Sequence, residues 1–289
     1  MAVSVSTHLI EASFGRLTGY LHRPGGVSCE KRPVVVWPSL FSTAAVQQDL
    51  VTRLSRDRTV LAIDPPGHGE SLLKVGGPGL DMASVSSASL ELMDISGLKS
   101  ALWVGTSWGG LIGIEIALRM PQRIAHLSCL NTPFAFHPNR LDRSWWLPTM
   151  ARIMGRRGVF ARGVAQDFFL PATRNDTAKT DAMRAHADTF SRGSNRGLAA
   201  AAGLIFRDRT DIWAKLPDVP VPTLVIAGRH DPLYDLDEQQ QAADRIPRSR
   251  FVVLDVAHIA AVDAPAEVEL ELRHCWTEEA ESAVQQAAA

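Results

Sequence analysis

A serine between glycines near the middle of the chain is the first candidate for chemistry. A short apolar run at 101–104 precedes the pentapeptide Gly-Thr-Ser-Trp-Gly at 105–109, and a longer apolar segment then extends to Pro121. Strand, G-x-S-x-G and helix in this order are typical of a nucleophile elbow, whose strained turn needs glycines around the serine. The pattern predicts that Ser107 is a nucleophile; a glycine-rich turn without catalytic function is the alternative.

A serine hydroxyl is a poor nucleophile at neutral pH, so a base and an acid should lie at neighbouring strand ends. Asp231 follows a strand predicted at 222–227, and His258 follows a strand predicted at 251–254. We expect His258 to take the proton from Ser107 and to return it to the leaving group. Asp231 would hold the imidazole tautomer and stabilise the imidazolium.

Other histidines and carboxylates of the chain are alternatives for these roles. His230 adjoins the proposed acid, and His274 lies well inside the last predicted helix, so His258 is favoured as the base. Asp235 and Asp255 are the alternative carboxylates. A turn-forming role for the aspartate and a solvated role for the histidine are the simpler interpretations of each residue taken singly.

The oxyanion formed during acyl transfer needs N–H donors, which often contribute the largest single stabilisation. The backbone N–H of Trp108, at the start of the predicted helix, is the first candidate donor. The second should come from the turn after the strand predicted at 33–37. Pro38 has no N–H, so Leu40 is the candidate there and Phe41 is the next choice.

Short buried strands alternate with helices along most of the chain. This alternation predicts an α/β fold, with a mostly parallel sheet covered by helices on both faces. The predicted strands lie at 33–37, 59–63, 101–104, 124–130, 222–227 and 251–254, after a hairpin at 8–14 and 17–23. The predicted helices lie at 44–54, 82–95, 108–120, 236–245 and 264–275.

The pattern changes between residues 133 and 210, where helical stretches are broken by Gly, Pro and Arg and no clean strand occurs. We predict a hydrolytic core at 1–132 and 211–289 and an inserted helical cap at 133–210, called the cap segment below. Its aromatic residues predict an apolar pocket above the serine, although many of them could instead pack the core of the cap. The pocket candidates are Phe41, Phe134, Trp145, Trp146, Phe168 and Phe190.

Charge and cysteine content narrow the classes of function. The chain has 289 residues and a formal net charge of −1, which gives no reason to expect nucleic acid or membrane as partner. The cap segment has 13 Lys and Arg residues against 6 Asp and Glu. This excess could favour an anionic substrate, but arginines on solvated helix faces are the alternative we prefer.

The three cysteines, Cys29, Cys129 and Cys275, have no metal-binding spacing, and their odd number argues against a disulfide framework. We expect no metal and no cofactor. The N-terminal residues have no basic region followed by an apolar core, so we expect a cytoplasmic protein. A small molecule is the expected partner, and a homodimer is left open.

Four motifs of the chain resemble the α/β-hydrolase superfamily, and the resemblance covers nearly the whole sequence. It implies that Ser107, Asp231 and His258 form the serine triad in its usual order. It also implies a structural turn, without chemistry, around Asp64 and His68. The motifs are Gly-Thr-Ser-Trp-Gly at 105–109, Asp-Pro-Pro-Gly-His-Gly-Glu-Ser at 64–71, Gly-Arg-His-Asp at 228–231, and Val-Ala-His-Ile at 256–259 followed by Pro265.

Within this superfamily the chain is most similar to the serine esterase and lactonase branch. Pro-Ser-Leu at 38–40 resembles the Ser-Leu-Gly turn of 3-oxoadipate enol-lactonases, but the common His-Gly pair is replaced by Pro38 and Ser39. Some lactonases of the superfamily take their acid from the strand after the elbow. Here that strand ends in Asn131, which favours Asp231.

Two other activities of the superfamily are disfavoured. A tryptophan after the nucleophile resembles proline iminopeptidases, but their His-Gly-Gly-Pro-Gly signature is absent. An aspartate nucleophile, as in dehalogenases and epoxide hydrolases, is excluded by Ser107.

We therefore expect a serine hydrolase that cleaves an ester or lactone of an apolar or aromatic small molecule through an acyl-enzyme. C–C bond hydrolysis of a ring-cleavage diketone uses the same triad and is the first alternative. A ligand receptor that keeps the hydrolase fold, with slow or no turnover, is the second. Lyase or cofactor-free oxidative chemistry is a third.

Overall fold

A computed structural model describes residues 3–25, 31–74, 79–135, 143–154, 158–191, 194–209 and 211–287. The side chains of residues 143–146 and 278–287 lie outside this description. In the described part of the chain, no helix has the length and apolar character needed to cross a membrane.

Eight strands form one sheet in the order β1-β2-β4-β3-β5-β6-β7-β8. The first two strands form an antiparallel hairpin, β2 pairs antiparallel with β4, and the remaining pairs are parallel. The mostly parallel sheet confirms the predicted fold class. The strands are β1 Ser4–Ala12, β2 Gly15–Arg23, β3 Val34–Trp37, β4 Val60–Asp64, β5 Ala101–Thr106, β6 Ile124–Leu130, β7 Thr223–Gly228 and β8 Ser249–Leu254.

Eleven α-helices are described beside the sheet and in the cap segment. They are α1 Gln48–Leu54, α2 Met82–Ile95, α3 Trp108–Arg119, α4 Arg143–Met154, α5 Gly158–Phe168, α6 Pro171–Asn175, α7 Thr180–Thr189, α8 Asn195–Gly203, α9 Leu236–Arg245, α10 Ala260–Asp263 and α11 Pro265–Ala287. Short 3₁₀ turns occur at Pro121–Arg123, Thr177–Lys179 and Trp213–Asp218, and a π-helical turn at Leu204–Asp208.

Side chains alternate between two buried clusters along each central strand, as the period-2 geometry of a strand requires. On β3, Val35 and Trp37 belong to the cluster under α2 and α3, whereas Val34 and Val36 belong to the cluster under α1 and α11. All four residues are fully buried. Both faces of the sheet are therefore covered, which explains why the central strands are apolar runs rather than alternating patterns.

Two helix boundaries differ from the predicted ones. The first helix begins at Gln48, because residues 44–47 form turns. The helix predicted at 264–275 corresponds to α11, which begins at Pro265, a residue that suits the first position of a helix, and extends to Ala287. The short helix α10, at Ala260–Asp263, was not predicted.

The cap segment enters between β6 and β7, and its described residues contain helices and no strand. Its division from the rest of the chain as a separate cap domain stays a prediction. The segment leaves the sheet at the carboxyl end of β6, and residues 211–222 return the chain to the amino end of β7 at the opposite end of the sheet. Residues of the segment line a cavity together with Ser107 and His258, so it lies next to the strand ends that carry the predicted site.

Candidate active site

Ser107 occupies a sharp turn between β5 and α3. Its backbone angles are φ 53° and ψ −109°, a left-handed conformation that costs free energy for a residue with a side chain. Its N–H donates to the Leu130 carbonyl on β6 at 2.7 Å. The turn therefore holds the serine at the carboxyl end of the sheet through backbone geometry alone.

The glycines around the elbow are required by close contacts with backbone atoms and with the Thr132 side chain. A Cβ on Gly105 would lie 2.2 Å from the backbone of Gly109, and a Cβ on Gly109 would lie 2.3 Å from the Trp37 carbonyl oxygen. A Cβ on Gly110 would lie 1.9 Å from Thr132 Oγ1. All three distances are too short for any side chain, so α3 can approach β3, β5 and β6 only with glycine at these positions.

The structure brings His258 and Asp231 into contact at the ends of β8 and β7. Nδ1 of His258 donates to Oδ2 of Asp231 at 2.8 Å, and the two side chains are 1% and 2% exposed. A proton on Nδ1 leaves Nε2 free to accept one, as a general base requires. The rival carboxylate Asp255 instead contacts His230 at 2.7 Å, and its side chain is 77% exposed.

Nε2 of His258 lies 3.4 Å from the hydroxyl of Ser39. Ser107 lines the same cavity as these two residues. In this arrangement of the described residues, Ser107 forms no hydrogen bond to Nε2. Catalytic hydrogen bonds are often long before substrate binds and shorten in the complex, so the geometry is compatible with proton transfer.

Asn131 supports the acid, a contact that the sequence analysis missed. This residue follows β6 with φ 47°, and its Nδ2 donates to Asp231 Oδ2 at 2.8 Å. The N–H of Leu233 donates to Oδ1 at 2.8 Å. With His258, the carboxylate accepts three hydrogen bonds, which fix its orientation. The contact could have been predicted from the sequence position of Asn131, which follows β6, the strand next to β7.

Two backbone N–H groups near Ser107 are available as oxyanion donors. Leu40 and Trp108 are buried, and the N–H of neither has an acceptor among the described residues. Phe41, the second choice, is unsuited because its N–H donates to Nε2 of His68 at 3.0 Å. An unpaired buried N–H is costly, so a pair of them beside a nucleophile points to a ligand oxygen as the missing acceptor.

His68 holds the turn that presents Leu40. Its Nδ1 donates to the Pro66 carbonyl at 3.0 Å, which leaves Nε2 as the acceptor for Phe41. Burial lowers the pKa of His68 to about 4, so the ring is neutral at neutral pH. Phe41 itself has φ 59°. The Gly-His-Gly turn thus supports the geometry of the site without contacting the reacting atoms.

A small cavity of about 50 Å³ lies above Ser107. Its sheet side is lined by Ser39, Leu40, Phe41, Ser107, Leu233, Tyr234 and His258, and its cap side by Leu147, Val164, Asp167, Phe168, Ile205 and Phe206. The volume is well below the roughly 300–1,000 Å³ of typical ligand pockets. A ligand of typical size therefore fits into this cavity only if lining side chains move apart.

Two of the six predicted pocket residues line this cavity, namely Phe41 and Phe168. Phe134 and Phe190 do not line this cavity, and their role in a pocket stays a prediction. Phe134 is fully buried in the cluster under α3, and Phe190 packs in the cap with its ring 5.6 Å from that of Phe160. The side chains of Trp145 and Trp146 lie outside the described residues.

The cap-side lining residues, of which the sequence analysis had named only Phe168 as a pocket residue, show a helical pattern. Val164, Asp167 and Phe168 are spaced i, i+3 and i+4 on α5, so one face of this helix covers the site. Ile205 and Phe206 lie in the π-helical turn at Leu204–Asp208, a conformation that is frequent at functional sites. The i, i+3, i+4 spacing of Val164, Asp167 and Phe168 is the sequence feature from which this lining face of α5 could have been predicted.

The cavity has one charged residue on its cap side. No Lys or Arg lines it in the part of the chain that the structure describes, whereas Asp167 does. The arginines counted in the cap segment include exposed side chains such as Arg184, which is 68% exposed and pairs with Asp181. The excess of positive charge therefore does not reach the described cavity.

The described residues contain no group of three His, Cys, Asp or Glu side chains placed to hold a metal ion. Cys129 and Cys275 are buried free thiols, and burial raises the pKa of Cys129 to about 12. Cys29 lies outside the described residues.

Comparison with known proteins places this geometry in a wider context. The sequence profile of a family described as alpha/beta hydrolase fold matches residues 32–265, a range that contains Ser107, Asp231 and His258. 3-Oxoadipate enol-lactonase 2 of Acinetobacter baylyi is 25% identical over 237 residues, 81% of this chain and 85% of that protein.

A second relative is the putative carbamate hydrolase RutD of Stutzerimonas stutzeri, which is 28% identical over 230 residues, 77% of this chain and 82% of that protein. Among solved structures, a hydrolase from Pseudomonas aeruginosa PA01 has a TM-score of 0.80 and 26% identity. The match covers 94% of this chain and 98% of that one.

Proposed function

Because this chain belongs to the alpha/beta hydrolase fold family, we propose that it is a serine hydrolase that opens an ester or lactone of a small apolar molecule through an acyl-enzyme. The observation that carries the proposal is the contact between His258 and Asp231 at the cavity that Ser107 lines. A buried imidazole oriented by a buried carboxylate is the base that a serine nucleophile needs.

The first half-reaction transfers the acyl group to the enzyme. Oγ of Ser107 attacks the carbonyl carbon while Nε2 of His258 accepts the hydroxyl proton. The negative charge on the carbonyl oxygen is stabilised by the N–H groups of Leu40 and Trp108, and by the positive end of the α3 dipole. The tetrahedral intermediate then collapses, and His258 gives its proton to the departing alcohol oxygen.

The second half-reaction releases the acid. Water takes the place of the alcohol, loses a proton to Nε2 of His258 and attacks the acyl carbon. Collapse of this second intermediate restores the Ser107 hydroxyl. For a lactone the alcohol stays on the acyl chain, so one hydroxy acid is released.

The lining of the cavity supports a neutral acyl group. Apart from Asp167 and the polar residues on the sheet side, the lining side chains are apolar. A carboxylate on the substrate would find no Lys or Arg side chain among the described lining residues, and burying an unpaired charge is costly. We propose an uncharged aliphatic or aromatic acyl group.

Labelling and turnover of the wild-type chain test this proposal. A fluorophosphonate should modify Ser107, and p-nitrophenyl butyrate should be hydrolysed with many turnovers. Ser107→Ala should lower kcat by about 10⁴–10⁶-fold. Ser87→Ala, at an exposed serine of α2, is the matched control and should keep wild-type kcat. Unlabelled Ser107, or an intact kcat in the alanine variant, would contradict the mechanism.

A panel of substrates separates the remaining possibilities. The neutral butyrate ester should be preferred over a p-nitrophenyl monoester of succinic acid, which has the same leaving group and a carboxylate. Faster turnover of a vinylogous diketone than of any ester would favour the C–C hydrolase. A single turnover would favour the receptor.

Two expectations remain predictions, namely the cytoplasmic location and the small-molecule partner. Whether the chain forms a homodimer stays open. Size-exclusion chromatography with light scattering measures the oligomeric state directly.

A further inference from the structure

The loop that carries His258 is held on both sides of the histidine. This loop comprises residues 255–259, between β8 and α10, and is called the His258 loop. The N–H of Ala257 donates to Oδ2 of Asp263 at 2.8 Å, and the N–H of Ile259 donates to the Phe168 carbonyl at 3.0 Å. The second acceptor belongs to the cap segment, so the position of the imidazole depends on residues outside the sheet.

Asp263 also reaches into the cap segment. The N–H of Leu170 donates to its two carboxylate oxygens, at 3.2 Å to Oδ1 and 3.4 Å to Oδ2. The Thr173 hydroxyl donates to the same carboxylate. One side chain therefore joins the His258 loop to the junction between α5 and α6.

Burying the Asp263 carboxylate between the His258 loop and the cap segment costs desolvation free energy. Burial raises the pKa of Asp263, and the hydrogen bonds from Thr173, Ala257 and Leu170 act in the opposite direction. Desolvating a charge costs free energy that good hydrogen bonds only partly return. Charge-assisted bonds are shorter and stronger than neutral ones, so the carboxylate holds its donors tightly.

The same junction forms part of the cavity wall. Phe168, the last residue of α5, lines the cavity, and its ring centroid lies 5.1 Å from that of His258. A shift of this junction would therefore also act on the His258 loop, through Phe168 and Asp263.

We propose that Asp263 is a positioning residue that ties the His258 loop to the α5–α6 junction, so that the imidazole takes its working position when the cap segment is docked. This inference rests on the proposed serine hydrolase function. It adds a residue outside the triad whose loss should slow chemistry rather than substrate binding.

Two variants of Asp263 test the proposal. Asp263→Ala removes both acceptor oxygens, and Asp263→Asn keeps one oxygen while turning an NH₂ group toward the remaining donor. We expect kcat for p-nitrophenyl butyrate to fall about 10–100-fold in the alanine variant, since displacement of a catalytic group by about 1 Å has this effect. The asparagine variant should fall between it and the wild type. KM should stay within about twofold in both, because the cavity lining is unchanged.

The rate of Ser107 labelling by a fluorophosphonate is the second readout. It reports activation of the serine by His258, so it should fall in parallel with kcat. Asp255→Asn, which alters an exposed carboxylate of the same loop, is the matched control and should keep wild-type values. Folded Asp263 variants, judged by Tm and circular dichroism, with wild-type kcat and labelling rate would overturn the proposal.

If the Asp263 variants do not fold, Thr173→Val tests the same link between the His258 loop and the cap segment. This substitution removes the cap-side hydroxyl and nearly preserves the shape of the buried side chain. We expect a severalfold decrease in kcat, without a change in KM and with parallel slower labelling. A wild-type kcat in this variant would contradict the link to the cap. Absence of ester turnover in the wild type would instead refute the proposed function.

Discussion

The sheet side and the cap side of the cavity are built by different means. On the sheet side, backbone contacts position the groups: Ser107 is held in a left-handed conformation, and Gly109 lies where a Cβ would be 2.3 Å from a carbonyl oxygen. On the cap side, apolar side chains such as Val164 and Phe206 form the wall. Backbone contacts of this kind tolerate no alternative residue, whereas apolar packing accepts side chains of similar volume. Reaction chemistry and substrate choice should therefore respond very differently to mutation.

The largest effect is expected on the sheet side, at the acid. Asp231→Asn should lower kcat by about 10⁴-fold, because an amide cannot hold the imidazole in the tautomer that leaves Nε2 as the base. Steady-state kinetics with p-nitrophenyl butyrate measures the decrease. Asp237→Asn, at an exposed carboxylate of α9, should keep full activity. A decrease in kcat of less than tenfold would show that another residue is the acid of the triad.

Glycine substitutions compare the two sides by stability. Gly109→Ala should lower the free energy of unfolding by about 3 kcal/mol or more, because the new Cβ must displace the backbone of β3. Gly163→Ala on α5 is its counterpart, since a Cβ there meets nothing within 4 Å. It should raise stability by about 0.5–1 kcal/mol through helix propensity. Urea denaturation measures both free energies of unfolding. Equal changes in the two variants would contradict the proposed difference between the sheet side and the cap side.

Acid should destabilise both sides through buried histidines. Burial lowers the pKa of His68 and of His186 to about 4, against an ordinary value of 6.5. Between these limits the unfolded chain binds protons that the folded chain does not, so the free energy of unfolding falls as pH decreases from about 6.5 to 4. Each histidine contributes at most about 3 kcal/mol.

Replacing each histidine with glutamine separates the two contributions. Both His68→Gln and His186→Gln should flatten the dependence of unfolding free energy on pH. Only His68→Gln should also lower kcat at pH 7, because His68 holds the turn of Leu40, while His186 bonds to Ala161 within the cap. A loss of kcat in the His186 variant would show that packing around His186, and not only the Asp263 contacts, connects the cap segment to the chemistry.

The smallest effect is expected from the cap wall. Phe206→Ala enlarges the cavity and should lower KM for esters with bulky acyl groups by up to about tenfold, which is about 1.4 kcal/mol. The kcat for p-nitrophenyl acetate should stay near wild type. Val159→Ala, at an exposed position of α5, controls for changes in the cap that do not touch the cavity. An unchanged KM across acyl lengths would exclude Phe206 as a specificity residue.

Local rules were enough to predict the fold class and the elbow. Strand periodicity, helix length and glycine at 105 and 109 all follow from constraints within a few residues, so they are visible in the sequence. The place of Asp231 and His258 at strand ends follows from the geometry of parallel sheets. Their assignment as a triad stays a prediction, supported by the 2.8 Å contact between them.

The pocket was less predictable. Phe190 lies in the cap and is aromatic, as expected of a pocket residue, but it faces Phe160 and His186 instead of Ser107. Aromatic content identifies a region rich in apolar surface, and it does not determine which way each side chain points. That direction depends on how five helices pack on one another and on the sheet.

The sequence by itself determined the strand, turn and helix of the elbow and the glycines that it requires, because these obey backbone rules that act over short distances. It predicted the nucleophile, the acid and the base, and these roles stay predictions. Only the tertiary structure decided which groups support them. Asn131 and Asp231 are 100 residues apart, and Ser39 and His258 are 219 apart. Asp263 and Leu170 are 93 apart. Contacts at such separations depend on the packing of whole elements, which no local pattern of residues specifies.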